Sequence, residues 1–139
     1  MLHMETAIVI HAPQPQVLAI YRDYRNWPRI FPTIKRVRLT REQPGQQVLE
    51  IDHREGRVVN ILTDVAPGEI ELKEWKRRYD ATFLNRFQAI PDGTRFTLRA
   101  DIALKGVYRL LAPFVRWYVR HQMVTLVLEP MRMAAEGRR

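Results

Sequence analysis

The sequence predicts one α+β domain over residues 1–139, in which an antiparallel sheet carries a long C-terminal helix. Apolar and polar residues alternate between Thr33 and Leu104, which is typical of strands with one buried and one solvated face. Turn residues divide this region into short segments. A stretch with helical spacing then runs from Gly106 to about Met133. A chain of 139 residues suits one domain with its own core.

The N-terminal segment predicts one strand followed by two short helices. The β-branched run within residues 5–11 indicates a strand, which Pro13 and Pro15 end. One of these two prolines is suited to the first turn of a helix. Apolar residues then recur at helical spacing, namely Val17, Leu18, Ile20, Tyr21 and Tyr24. Pro28 breaks this helix and Pro32 marks a second turn, so a second short helix is expected.

Six further strands are expected over residues 35–40, 48–54, 58–65, 70–77, 81–90 and 96–104. The turns between them are Pro44-Gly45, Glu55-Gly56, Ala66-Pro67-Gly68 and Pro91-Asp92-Gly93, the last a strong hairpin signal. Because short turns join consecutive strands, we expect an antiparallel meander. Helices segregated on one of its faces would make an α+β domain.

The C-terminal helix is expected to kink or restart at Pro113 and again at Pro130, because proline cannot donate to the carbonyl four residues before it. Its predicted buried stripe comprises Val107, Leu110, Leu111, Phe114, Trp117, Tyr118, His121, Thr125 and Leu128. Arg109, Arg116 and Arg120 would then face solvent.

Composition bounds the functional classes. The chain has no cysteine, which excludes disulfides, thiolate metal sites and a cysteine nucleophile. It shows no signal peptide and no apolar run near the length of a membrane span, so we expect a cytoplasmic protein. The net charge of +8 favours anionic partners, although an arginine-rich solvated surface explains it equally well. Without a phosphate loop or an aromatic-basic strand motif, no nucleic-acid binding is expected.

Three local motifs, in order, resemble one family. Residues 8–13 with Val17 are similar to its opening strand and "apolar-x-Ala-Pro-x-x-x-Val" helix entry. Residues 23–32 are similar to its "aspartate-x-x-x-Trp-Pro-x-x-x-Pro" segment, with Asp23 in the expected place. Residues 91–97 resemble its "Gly-Thr-x-apolar-Thr" hairpin. Together with the order of elements, they resemble the START-like (SRPBCC) superfamily, in its polyketide cyclase/dehydrase-like branch.

This resemblance implies the helix-grip fold, in which a curved antiparallel sheet of about seven strands wraps on the long C-terminal helix. It also implies a cavity between sheet and helix that receives an apolar or aromatic molecule. Relatives include polyketide aromatase/cyclases, coenzyme-Q-binding proteins, lipid-transfer modules and the catalytic domains of Rieske oxygenases. The last need a separate cysteine-bearing domain and an iron site, and this chain has no cysteine. The fold alone does not fix a function.

Four polar residues are candidates for proton transfer in such a cavity. Glu74 continues the face of Ile70 and Leu72 and would have a raised pKa inside, unless a bulge turns Trp75 inward instead. Asn85 would lie on the inner face and bind either a ligand carbonyl or a water or backbone group. His53 and His121 fall on predicted inner faces, where they either shuttle protons or serve as ordinary core residues. Their spacing does not suit a metal site, so no metal and no cofactor are expected.

The residues expected to contact the ligand are Trp27, Phe31, Phe83, Phe87, Leu98, Ala100, Leu110, Phe114, Trp117 and Tyr118. The leading hypothesis is a protein that binds a hydrophobic, aromatic or polyketide-like molecule and cyclises or dehydrates it. An acidic carrier protein would then deliver the chain to the basic surface. The alternative is a non-catalytic carrier of a quinone or lipid at an anionic membrane surface. A third hypothesis is a stress or toxin-type partner protein whose cavity is vestigial.

Overall fold

The computed structural model describes residues 1–54 and 56–137. Seven strands form one antiparallel sheet in the order β1-β7-β6-β5-β4-β3-β2, which confirms the predicted meander. The strands are β1 (Leu2–Ile10), β2 (Ile34–Gln43), β3 (Gln46–His53), β4 (Gly56–Ala66), β5 (Glu69–Trp75), β6 (Tyr79–Ile90) and β7 (Gly93–Leu104). Glu55 of the predicted β3–β4 turn lies outside the described residues. The first strand, β1, pairs with the last strand, β7. The two edge strands of the sheet are therefore β1 and β2.

Two short helices follow β1, as the sequence predicts. They are α1 (Gln14–Arg22) and α2 (Trp27–Ile30), with a single 3₁₀ turn at Tyr24–Asn26 between them. Pro15 and Pro28 each lie in the first turn of a helix, where the missing N–H breaks no helical hydrogen bond. The Trp27-Pro28 pair thus begins α2, whereas α1 has already ended at Arg22.

The C-terminal segment is helical from Gly106 to Ala135 but changes its winding three times. It consists of a 3₁₀ turn (Gly106–Leu111), α3 (Ala112–Met123), a π-helical turn (Val124–Leu128) and α4 (Glu129–Ala135). Pro113 and Pro130 lie in the first turns of α3 and α4. The wide π turn immediately precedes the position where Pro130 can donate no hydrogen bond, and it lets the helix continue past the proline.

We define the inner face of the sheet as the one that carries its buried apolar side chains. These include Leu49, Ile51, Leu62, Ile70, Phe96, Leu98, Ala100 and Ile102. The C-terminal helix reaches the sheet through β1, and α4 also packs on α1 and α2. The helix thus covers the inner face from the β1 side, next to the two short helices.

The face of the C-terminal helix that packs on the domain differs from the predicted stripe. Val119, Met123, Leu128 and Met131 are buried, whereas Phe114 is 75% exposed. Of the predicted buried stripe only Leu128 is fully buried. The prediction was wrong because α3 carries two apolar stripes on opposite sides, and the narrower aliphatic one contacts β1.

The β6–β7 turn fixes the start of α1 against the sheet. Thr94 is fully buried and its hydroxyl donates to the carbonyl of Ala12 at 2.8 Å. Gly93 has φ +144°, and a Cβ atom there would lie 2.2 Å from the carbonyl oxygen of Ile10. Only glycine permits this close approach between the turn and the end of β1.

Candidate functional site

Glu74 points into the domain from the middle of the sheet. Its side chain belongs to the inner-face row that also holds Ile70 and Leu72, and the residue is only 6% exposed. The next residue, Trp75, is 50% exposed on the outer face. β5 therefore keeps its regular alternation to its end, and the alternative bulge that would turn Trp75 inward does not form.

Lys76 links the carboxyl group of Glu74 to the hydroxyl group of Tyr79. The ammonium nitrogen of Lys76 lies 3.4 Å from Oε1 of Glu74 and 3.3 Å from the hydroxyl oxygen of Tyr79, to which it donates. The turn between β5 and β6 sets this geometry, because the Lys76 N–H donates to the Tyr79 carbonyl at 2.9 Å. The result is a row of three groups that can exchange protons.

Burial raises the pKa of the Glu74 carboxyl above its ordinary value, and the ammonium group of Lys76 opposes this shift without cancelling it. Burial lowers the pKa of Lys76, but the attraction of the Glu74 carboxylate and of Tyr79 outweighs it, so the pKa of Lys76 is raised. A carboxyl with a raised pKa is a better base once ionised and holds its proton at higher pH.

Asn60 is the neighbour of Glu74 on β4, where the two residues are paired in the ladder. It is 1% exposed, and its Nδ2 donates to the Val58 carbonyl at 3.4 Å. Asn60 was not among the predicted site residues, although its alternation with Val58 and Leu62 is the same signal that indicated Asn85. Lys76 and Tyr79 were missed because they flank a turn, where periodicity carries no information about which way a side chain points.

Apolar side chains adjoin this polar group and keep part of their surface accessible. Leu72 and Phe83 face each other across β5 and β6, and Phe83 is paired with Ala100 of β7. Leu72, Phe83 and Leu104 are half-buried, in contrast to the fully buried Leu98 and Ala100. A buried carboxyl beside accessible apolar side chains is a suitable setting for an apolar ligand that carries a polar reacting group.

The other sheet candidates lie farther from Glu74. Asn85 is buried on the inner face and its Nδ2 donates to the Ile70 carbonyl at 3.3 Å, so a backbone group satisfies it. His53 is half-buried and pairs with Gly56, four residues along β4 from Asn60. At a strand rise of about 3.3 Å per residue this is roughly 13 Å. The participation of Asn85 and His53 in chemistry stays a prediction.

Three of the predicted ligand contacts form an aromatic cluster at the other end of the inner face. Trp27 packs against Phe31 at 5.5 Å and against Tyr21 at 5.3 Å between ring centroids. Phe87 stacks on Phe96 at 4.5 Å. Trp27, Phe31 and Phe87 are at most 5% exposed, so they pack within the core and not at an open cavity mouth.

The helix candidates lie on the outside of the domain. His121 is exposed and stacks on Trp117 with 5.8 Å between ring centroids, so it does not face Glu74. Leu110, Phe114 and Tyr118 are exposed as well. The prediction that these five residues face inward is corrected, since the opposite side of α3 packs on the sheet. Their contact with a ligand stays a prediction.

The described surface has two open depressions of about 520 and 420 Å³. One is at the β6–β7 turn beside Pro13, and the other is around Lys73 and Asp101 on the outer face, with Glu74 also in its lining. Neither is the cavity between sheet and helix that the family resemblance implies, so that cavity stays a prediction. Within residues 1–54 and 56–137, no group of three or more metal-ligating side chains occurs. Over the same ranges, no helix is both long enough and apolar enough to cross a membrane.

The match to a protein family covers nearly the whole chain. The family described as "Polyketide cyclase / dehydrase and lipid transport" matches residues 1–132, and this chain belongs to it. Among curated proteins, none matches this sequence.

Solved structures share the helix-grip fold. The di-domain ARO/CYC StfQ from the steffimycin biosynthetic pathway is 14% identical with a TM-score of 0.81, covering 96% of this chain and 49% of its own. The chain thus spans about half of that protein. The Zhui aromatase/cyclase from Streptomyces sp. R1128 is 17% identical with a TM-score of 0.81, covering 97% and 93%. A START superfamily protein from Mycobacterium smegmatis is 15% identical with a TM-score of 0.78, covering 97% of both chains.

Proposed function

We propose that this chain binds an apolar, carbonyl-bearing small molecule on the inner face of the sheet and removes water from it. The observation that carries the proposal is the burial of Glu74, within 3.4 Å of the Lys76 ammonium group and beside the half-buried Leu72 and Phe83. Membership of the polyketide cyclase/dehydrase family supports this class of substrate. The aromatase/cyclase named among the structural neighbours is a protein of the same fold.

The chemistry needs one base and one acid. In a β-hydroxy ketone, the Glu74 carboxylate takes a proton from the carbon between the carbonyl and the hydroxyl-bearing carbon. A C=C bond forms as the C–O bond breaks, and the Lys76–Tyr79 pair protonates the leaving oxygen so that water departs. Tyr79 can pass a proton to Lys76, since its hydroxyl lies 3.3 Å away. Proton transfers of this kind contribute about 10²–10⁴-fold in enzymes.

A simple β-hydroxy ketone, 3-hydroxy-1-tetralone, makes the test direct, because loss of water followed by tautomerisation gives the fluorescent product 1-naphthol. We expect the native chain to accelerate this reaction and Glu74→Gln to slow it by about 10²-fold or more while binding persists. Glu71→Gln is the matched control, since Glu71 lies on the same strand but faces outward and pairs with Lys73. An unchanged rate in Glu74→Gln contradicts the proposed chemistry.

A non-catalytic carrier of a quinone or lipid is the second candidate, favoured by the words "lipid transport" in the family description. For a carrier, binding would depend on the apolar inner face and not on Glu74. Native mass spectrometry of the purified chain, followed by identification of any molecule released on denaturation, separates the two. A carrier releases a quinone or lipid and leaves the ketone unconverted, whereas a dehydratase converts it.

A further inference from the structure

The first half of the C-terminal helix presents apolar side chains to solvent on the side away from the domain. We define the aromatic face as Val107, Leu110, Phe114, Trp117 and Tyr118, which are all more than half exposed. Leu110 is 84% and Trp117 71% exposed. Val115 and Val119, on the other side of α3, contact the domain instead. Exposed apolar patches of this kind mark interaction surfaces.

Exposed arginines lie on the same helical segment as the aromatic face. Arg120 follows Trp117 by about one helical turn, Arg116 lies four residues before Arg120, and Arg109 is exposed one turn before α3 begins. No aspartate or glutamate occurs between Asp101 and Glu129 in the sequence. The charged side chains between these two acids are therefore all cationic, and no carboxylate from the same stretch neutralises them.

We propose that the aromatic face docks on the surface of an anionic lipid bilayer. Tryptophan and tyrosine favour the headgroup region, where an apolar ring and a polar tip are both accommodated, while leucine and phenylalanine enter the acyl boundary. Arginines beside them pair with acidic headgroups. Among the described residues, no helix can span a membrane, so this contact is one that lies in the interface.

A second copy of this chain fits the aromatic face less well. Two copies packed through this face would bring Arg109, Arg116 and Arg120 of each copy together, with no acidic residue in the segment to pair with them. Like charges at an apolar contact oppose association. An acidic protein partner would satisfy the arginines but would leave five large apolar side chains against a polar surface. A lipid surface supplies both the negative charge and the apolar layer.

Docking in this orientation adds to the proposed function without depending on it. Lys105 joins the aromatic face to the candidate site, because its Nζ lies 2.8 Å from Oδ1 of Asp80 and donates to the Lys76 carbonyl at 3.0 Å. Arg78 also lies over the ring of Tyr108 at 5.7 Å. A bilayer bound to the start of the helix thus lies next to the β5–β6 turn that carries Lys76.

The test is flotation with vesicles of phosphatidylcholine alone and of phosphatidylcholine with one quarter phosphatidylserine. We expect binding to the anionic vesicles that weakens with added salt. The double variant Phe114→Ser with Trp117→Ser should lose about tenfold or more in binding. Trp75→Ser is the control, since it removes an exposed tryptophan from the outer face of the sheet.

Charge is tested separately from apolar contact. Arg116→Gln with Arg120→Gln should weaken binding to anionic vesicles by about tenfold, whereas Arg25→Gln with Arg29→Gln removes the same charge from an exposed segment near α2 and should matter less. Far-UV circular dichroism shows that each variant is folded. The proposal is overturned if anionic vesicles do not bind the native chain, or if both double variants bind like their controls. A dimer in solution that Trp117→Ser dissociates would also overturn it, in favour of a second copy.

Discussion

The carboxyl oxygen of Glu74 lies 3.4 Å from the ammonium nitrogen of Lys76, and the carboxyl is almost completely buried. Burial of an ion pair costs solvation that the attraction between the charges offsets only in part. Here the pKa of Glu74 is raised, so burial outweighs the attraction for the carboxyl. The pair therefore keeps a poorly solvated base in the sheet at some cost in stability, as reactive sites often do.

This relationship predicts how stability depends on pH. Because the folded-state pKa of Glu74 is raised, the folded chain holds this proton to a higher pH than the unfolded chain does. The free energy of unfolding therefore falls as pH rises from the ordinary glutamate pKa through the raised one. In Glu74→Gln this part of the fall is absent, so the variant gains stability relative to the native chain across that window. Urea unfolding at a series of pH values measures it.

Glu71→Gln provides the control for this titration. Glu71 lies three residues before Glu74 on β5, on the outer face, with a Lys73 ammonium 3.7 Å away. If Glu71→Gln removes the fall in stability as Glu74→Gln does, burial of Glu74 is not the cause of that fall.

The sheet could be predicted from the sequence because a strand has only two faces. Once Leu98 and Ala100 are assigned to the inner face, pairing with the neighbouring strands assigns Phe83 and Ile70 to the same face. The period of two along each strand then places Asn85 and Glu74 there as well. Both residues are indeed on the inner face. The contact between Glu74 and Lys76 was beyond this reasoning, since it depends on the conformation of a turn.

The helix was harder to orient because periodicity finds an apolar stripe without saying what covers it. α3 has one stripe through Val115 and Val119 and another through Phe114 and Trp117. The larger aromatic stripe was expected to pack on the sheet, but β1 contacts the helix on its other side. The π turn at 124–128 then shifts the register, so a single stripe cannot be extended from α3 into α4.

Two tryptophans expected to share one role should behave differently on substitution. Trp27 is 2% exposed and its indole N–H donates to the Tyr21 carbonyl at 2.8 Å, whereas Trp117 is exposed. Trp27→Phe leaves that buried carbonyl without its partner and should cost about 2 kcal/mol. Trp117→Phe should change the free energy of unfolding by less than about 0.5 kcal/mol. Urea unfolding of both variants measures these changes in the free energy of unfolding. Equal losses of stability would contradict the packing described for α3.

Close approach at the β6–β7 turn predicts a large cost for one glycine substitution. Gly93 has φ +144° and no room for a Cβ atom next to the carbonyl of Ile10. Gly56 has a similar φ of +139° with nothing within 4 Å of the same position. Gly56→Ala should lower the free energy of unfolding by about 1 kcal/mol through backbone strain alone. Gly93→Ala should lower it by about 3 kcal/mol, because the clash of the Cβ atom adds to the backbone strain. Thermal unfolding measures the difference, and equal costs would show that the turn relaxes freely.

Filling the inner face tests whether the space beside Glu74 is used by a ligand. Ala100 is fully buried opposite Phe83, so Ala100→Leu should lower the free energy of unfolding by about 2 kcal/mol through overpacking. If a small molecule binds over Phe83 and Leu72 on the inner face, the added side chain should also abolish its binding. The measurement is native mass spectrometry of the variant beside the native chain, at a temperature where both are folded.

Ala103→Leu is the matched control, because Ala103 lies three residues further along β7 and lines the depression on the outer face. It adds the same number of atoms and should change unfolding by less than about 0.5 kcal/mol, with ligand binding retained. Binding that survives Ala100→Leu would mean that the ligand does not occupy the inner face near Phe83. Binding lost in Ala103→Leu and kept in Ala100→Leu would instead place the ligand in the outer depression and contradict binding on the inner face.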